Sequence, residues 1–152
     1  MMRNLDYKFI VDNTIDNIQQ GYIDKSELHG FGLFSKIDID ENDILCVLDG
    51  QVISWDLYNK IRKNMASFIT KPYEQYLFMG WNALNQENLL VRSLRTKYSY
   101  INHSRTPNTK IIYNPIQIVA IKEIAKDEEI TIDYSKEPLN YEYVKNHGSS
   151  YL

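Results

Sequence analysis

The sequence predicts a mainly β domain with short helices, and three observations predict it. Apolar runs are short and bounded by Gly, Asn-Pro or Asp-rich turns. One stretch, residues 55 to 68, carries apolar residues at helical spacing. No internal repeat or linker breaks the 152 residues, a length that fits one domain around one core.

The elements follow in order. Residues 1 to 20 are polar and read as a short helix or an arm. Tyr22-Ile23 is a strand candidate, and residues 28 to 34 place Gly30 and Gly32 inside an apolar segment, where backbone must bend or approach something closely. Residues 38 to 43 are a polar turn, Ile44 to Leu48 a strand, and Asp49-Gly50 a strong turn signal before Gln51-Val52-Ile53. Ser54 is a plausible N-cap for a helix whose face is Leu57, Ile61, Met65 and Phe68. Tyr76-Leu77-Phe78 and Leu89-Leu90-Val91 are short strands. Residues 111 to 113 and 116 to 121 flank Asn114-Pro115 as a hairpin. Lys126-Asp127-Glu128 is a turn, Glu129 to Tyr134 a last strand with Ile130, Ile132 and Tyr134 on one face, and 135 to 152 a polar tail carrying Tyr141, Tyr143 and Tyr151.

Composition excludes several classes. The formal net charge of −3 argues against a broad basic face for nucleic acid and is compatible with a basic peptide partner. Cys46 stands alone, which rules out an internal disulfide and a cysteine zinc cluster, and His29, His103 and His147 are too scattered for a metal site. No apolar run approaches eighteen residues, so no membrane span is expected. No secretory signal is expected either, which makes an intracellular, metal-free protein the expectation, cytoplasmic by default with a nuclear or host-cell location left open.

Three strings carry chemistry: His29-Gly30-Phe31-Gly32-Leu33-Phe34-Ser35, Tyr100-Ile101-Asn102-His103-Ser104-Arg105-Thr106-Pro107-Asn108, and Glu128-Glu129-Ile130-Thr131-Ile132-Asp133-Tyr134. On its own physics the first is a tight turn or a place where a ligand lies against backbone. The second, expected in a loop, offers donors and acceptors that suit an adenine edge or an ammonium, or simply a loop tied by its own side chains. Tyr134 is a core tyrosine closing a strand face, or a functional hydroxyl.

Taken together, in order and spacing, the strings resemble the SET domain family of protein-lysine methyltransferases, in a minimal form without the cysteine-rich zinc segment. Leu48-Asp49-Gly50 falls where that family has a Tyr-x-Gly turn. The resemblance runs from about Gly21 to Tyr134. It implies a SET-type fold of several small sheets with a knot-like C-terminal threading, S-adenosylmethionine as methyl donor, and a lysine-containing protein or peptide, histone or other, as substrate. It implies cofactor contacts at His29, Gly30, Phe31, Gly32, Asn102, His103 and Tyr134, with Tyr134 catalytic, and a substrate channel at Leu48, Ile111 and Ile132. Domain expectations are an arm or short helix over 1–20, a catalytic domain over 21–134, and a segment over 135–152 that closes the site with its tyrosines. Direct nucleic-acid and membrane partners are not expected, and a homodimer is left open.

Departures from the family pattern are Leu48 in the place of the tyrosine and Ser99 where an arginine is common. Ile132 and Ile111, smaller than tyrosine and without a hydroxyl, stand where the family often carries a bulky aromatic hydroxyl that limits methylation, and the resemblance thereby implies a di- or trimethylated product. The main alternative is a SET-like module that binds a cofactor or partner without catalysis. A hydrolase using His103, Ser104 and Asp133 is the weaker rival, since adjacent His and Ser are poorly placed as a pair and no Gly-x-Ser-x-Gly turn is present.

Overall fold

The computed structural model describes residues 4–69, 80–92 and 94–152. Among them the chain is mostly strand with a few short helices, in two compact units: residues 1–48 with 94–134, and residues 49–93 with 135–152. The expected strand at Tyr76-Leu77-Phe78 lies outside the described residues.

In the first unit, α1 (Asn4–Asp12) leads to β1 (Gly21–Lys25), β2 (Phe31–Ser35) and β3 (Ile44–Val47). Then come β7 (Asn102–His103), β8 (Thr109–Ile112), β9 (Gln117–Ala120) and β10 (Glu129–Ile132). They form one sheet in the order β1-β2-β10-β8-β9-β3, with β7 pairing β10. The β1–β2 hairpin turns at Gly30, whose φ of 51° is the left-handed conformation that glycine adopts freely. The β8–β9 hairpin brackets Asn114-Pro115 as the sequence predicts. Ile18, Leu33, Ile118, Ile124 and Ile130 fill the core of this unit with essentially no exposure. Lys97 is buried with them. Its Nζ donates to the carbonyls of Ile18 and Gly21 and pairs with Asp16 at 2.7 Å, which ties the segment before β1 to the short 3-10 turn Lys97–Tyr100. Satisfying every donor in this way is what permits a buried ammonium.

Two expectations need correction here. Asn102-His103 is not loop: it pairs in parallel with β10, Asn102 opposite Thr131 and His103 opposite Ile132. Two residues are too few to show an alternation in sequence. The last strand ends at Ile132, and Tyr134 opens a 3-10 turn, Tyr134–Lys136, instead of continuing the Ile130–Ile132 face.

In the second unit, β4 (Gln51–Ser54), β5 (Trp81–Ala83) and β6 (Asn88–Val91) form a sheet in the order β4-β6-β5. The Asp49-Gly50 turn therefore joins strands of different sheets and closes no hairpin. Helix α2 (Trp55–Ala66) starts where predicted, with the Ser54 side chain accepting from Leu57 N. Its buried face is Trp55 and Tyr58, whereas Leu57, Ile61, Met65 and Phe68 are 45%, 40%, 40% and 89% exposed. The predicted face was thus the wrong one. Two large aromatics one turn apart bury more area than the aliphatic stripe and win the contact with the sheet. Around them pack Ala83, Leu89, Ile53, Trp81, Val91, and, from the tail, Leu139 and Tyr143 of α3 (Tyr141–Asn146). Burial pushes the phenols of Tyr58 and Tyr143 above the ordinary tyrosine value of 10.0. A phenol whose folded pKa is raised stabilises fully below its unfolded pKa, and that stability is lost as pH rises through the folded one. Thermal melts above about pH 10 are expected to show the second unit weakening; an unchanged melting temperature there would mean these phenols are not buried.

Candidate active site

The three strings meet in the first unit, and the tripeptide Ile101-Asn102-His103 joins them. β7 holds this tripeptide beside β10, so its groups face both the β1–β2 turn and the end of β10. Asn102 Nδ2 donates to the carbonyls of His29 and Phe31, each at 3.1 Å, and to Glu129 Oε1 at 2.8 Å. One amide thus clamps both sides of Gly30. A Cβ built on Gly30 meets nothing within 4 Å, so the turn offers open backbone surface.

On the other side of Asn102, His103 Nδ1 accepts the backbone N–H of Tyr134 at 3.1 Å, and the two rings lie 5.3 Å apart. An Nδ1 that accepts leaves the proton of a neutral imidazole on Nε2, which becomes the donor that the ring presents. The Tyr134 hydroxyl donates in a short hydrogen bond to the carbonyl of Ile101. Tyr134 is therefore held at its backbone, its ring and its hydroxyl. With its proton given to Ile101, the phenol oxygen can serve any other group only as an acceptor.

Two residues outside the sequence-predicted set complete the site, Ser26 and Glu129. Ser26 Oγ accepts the N–H groups of Leu28 and His29 and donates to Glu129 Oε1 at 2.8 Å. Glu129 occupies the space beside Gly32, where an added Cβ would come within 2.3 Å of its Oε1. The signal for this in the sequence is a carboxylate opening a strand that carries Ile130 and Ile132, readable only once the partner strand with Gly32 is known. Asn108, the last residue of the second string, is a buried brace: its amide donates to Glu129 O at 2.8 Å and accepts from Thr131 N at 2.8 Å.

The expected site residues thus divide. His29, Gly30, Phe31, Gly32, Asn102, His103 and Tyr134 form one connected group. Leu48 and Ile132 are buried at 4% and 2% exposure, and Ile111 is half-buried in β8. The hydrolase arrangement does not form: Ser104 Oγ accepts Thr106 N at 3.1 Å, and His103 Nδ1 accepts Tyr134 N while lying 3.7 Å from Asp133 Oδ1. Among the described residues no three His, Cys, Asp or Glu side chains gather to hold a metal ion, and no helix is long and apolar enough to cross a membrane.

Residues 30–135 match the SET domain family profile. Over 126 residues the chain is 29% identical to a histone-lysine N-methyltransferase of Emericella nidulans, specific for H3 lysine-4, covering 74% of this chain and 9% of that protein. It is 28% identical over 118 residues to a histone-lysine N-methyltransferase of Debaryomyces hansenii, specific for H3 lysine-36, covering 73% of this chain and 15% of that one. It is 30% identical over 122 residues to a variant-silencing SET domain-containing protein of Plasmodium falciparum, covering 74% and 5%. The structure is similar, with a TM-score of 0.55 and 30% identity, to a humanized mutant of Polycomb Repressive Complex 2 from Chaetomium thermophilum bound to an inhibitor, over 77% of this chain and 15% of that one. The chain therefore spans only a small part of the length of these relatives.

Proposed function

The chain belongs to the SET domain family, and from that premise we propose that it is a protein-lysine N-methyltransferase that takes its methyl groups from S-adenosylmethionine. The observation that carries the proposal is the tripeptide Ile101-Asn102-His103, which holds the Gly30 turn with one side chain and Tyr134 with its neighbours. The described residues suit that cofactor: open backbone at Gly30, an Asn102 Oδ1 with no hydrogen-bond partner among them, and a ring donor at His103. In this reading His29, Gly30, Phe31 and Gly32 present backbone to the cofactor, and Asn102 and His103 meet its polar edges.

When bound, S-adenosylmethionine supplies a methyl group already made electrophilic by its sulfonium. The nucleophile must be a neutral amine, although lysine has a pKa of about 10.4 in water. Leu48, Ile111 and Ile132 give it an apolar channel, where desolvation disfavours the ammonium and no strong protein base is needed. Tyr134, locked by Ile101 and His103, would offer its hydroxyl oxygen as an acceptor to the reacting methyl group, where weak C–H···O contacts would help alignment. It is an orienting group first and a base second, because its proton is already engaged.

The substrate in this reading is a lysine-bearing basic protein, for which the chain's net charge of −3 is favourable. The end product is di- or trimethyl-lysine, since neither Ile132 nor Ile111 can hold an obstructing water by a hydroxyl, and Leu48 removes another. The test is incubation with S-adenosylmethionine and histones or other basic proteins, read by product mass at long reaction times. Two or three added methyl groups are expected. A single methyl with enzyme and cofactor in excess would overturn the product assignment. Cofactor binding without any transfer would favour the non-catalytic module, for which the loss of the channel tyrosine at Leu48 speaks. Ile132→Tyr is expected to move the product toward monomethyl-lysine. Because Ile132 is 2% exposed, it should also cost about 1–3 kcal/mol of stability through overpacking.

A further inference from the structure

We propose that Glu129 is a positioning residue that decides which end of the Asn102 amide faces the cofactor, turning Oδ1 outward as an acceptor for an N–H group of the cofactor. This rests on the reading above and adds a residue to it.

The two ends of an asparagine amide have nearly the same shape, so their orientation is set by what surrounds them. On the inner side of Asn102 stand three oxygens: the carbonyls of His29 and Phe31 at 3.1 Å and Glu129 Oε1 at 2.8 Å. Only the NH2 end can face them. Reversing the amide would set an oxygen against two carbonyls and a carboxylate, and the carboxylate contributes the strongest of these contacts because it is charged. Asn102 is half-buried, and its Oδ1, at the opposite end of the amide, has no hydrogen-bond partner among the described residues.

The carboxylate is itself held in place. Ser26, 8% exposed, donates its one hydroxyl hydrogen to Glu129, with oxygens at 2.8 and 3.0 Å. Ser26 Oγ already accepts two backbone N–H groups, so its proton has to be given away, and Glu129 receives it. Gly32 leaves the slot that the carboxylate fills, since a Cβ there would lie 2.3 Å from Oε1. Glu129 therefore has two duties, bracing the 26–30 loop and polarising Asn102. A test must separate them.

The experiment titrates S-adenosylhomocysteine calorimetrically into the full chain and its variants, with a thermal melt of each. Glu129→Ala is expected to weaken binding about tenfold or more, since it frees the amide to reverse. Glu129→Gln should lose less than about threefold, because its amide oxygen can still accept from Asn102. In an Asn102→Ala background, Glu129→Ala should change affinity by less than about twofold, the non-additivity expected if Glu129 acts through Asn102. The same loss in both backgrounds, or no loss from Glu129→Ala, overturns the proposal. Should Glu129→Ala fail to fold, Asn102→Asp serves instead. That change sets two carboxylates together and weakens binding, and adding Glu129→Gln should restore part of the affinity; an unimproved double variant overturns the proposal. A wild-type chain that binds no S-adenosylhomocysteine overturns the cofactor reading and this one with it. A wild-type chain that binds, with variants unchanged, overturns this one alone.

Discussion

Replacing Tyr134 with phenylalanine is expected to lower methyl transfer by about a hundredfold or more, the scale seen when one preorganised polar group is removed from a reacting centre. The hydroxyl is held by Ile101, the ring lies 5.3 Å from His103, and the backbone N–H is bound to His103 Nδ1. Phenylalanine keeps the last two and loses the first. The fold should survive with a small loss, about 1 kcal/mol, because the Ile101 carbonyl gives up a hydrogen bond in a residue only 1% exposed. The measurement is kcat on a lysine peptide beside a thermal melt and cofactor titration. Near-normal turnover would make Tyr134 a packing residue. A fall in activity matched by unfolding would leave its chemical role unsupported, whereas intact folding and cofactor binding with lost turnover supports it.

The strands were legible wherever an apolar run met a turn that glycine, asparagine or proline demands. β1, β3, β4, β6 and the β8–β9 hairpin all fall within a residue or two of the predicted runs. What escaped was structure whose cause lies elsewhere in the chain. β5 is three residues, Trp-Asn-Ala, with no alternation, and exists because β6 pairs with it and Arg92 reaches the buried side chain of Asn82. β7 is two residues that need β10 beside them. The face of α2 was misread because spacing counts residues, whereas packing weighs area, and Trp55 with Tyr58 outweighs the aliphatic stripe. At the site, residues within strings of recognisable order were legible. Ser26 and Glu129 were not, because a carboxylate gains meaning only from the Gly32 slot and the Asn102 amide that topology sets against it.

The tail carries the second large effect. If the segment over 135–152 only closed the site, deleting residues 136–152 would remove activity while the domain stayed folded. The packing predicts instead that the deletion unfolds the second unit. Tyr143 is part of its aromatic core, with ring centroids 5.3 Å from Trp55 and 5.1 Å from Trp81, and Leu139 packs on the same cluster. The backbone of the β5–β6 region depends on the tail as well: Ala83 N donates to Glu137, Gln86 Nε2 donates to Leu139 O at 2.7 Å, and Asn140 Nδ2 returns a bond to Gln86 O at 2.8 Å. Asn140 also caps α3 by accepting from Glu142 and Tyr143. Removing all of this would bare Trp55 and Trp81 to water and leave the buried Ala83 N–H without its partner, losses of several kcal/mol against a total stability of about 5–15 kcal/mol. Tyr143→Ala alone should cost about 3 kcal/mol by opening a cavity beside the two tryptophans. Tryptophan fluorescence reports on this unit directly, because Trp55 and Trp81 both lie in it. A truncated chain with the full-length emission spectrum and melting temperature would show the tail to be dispensable for folding and would return it to the role of a separate cover.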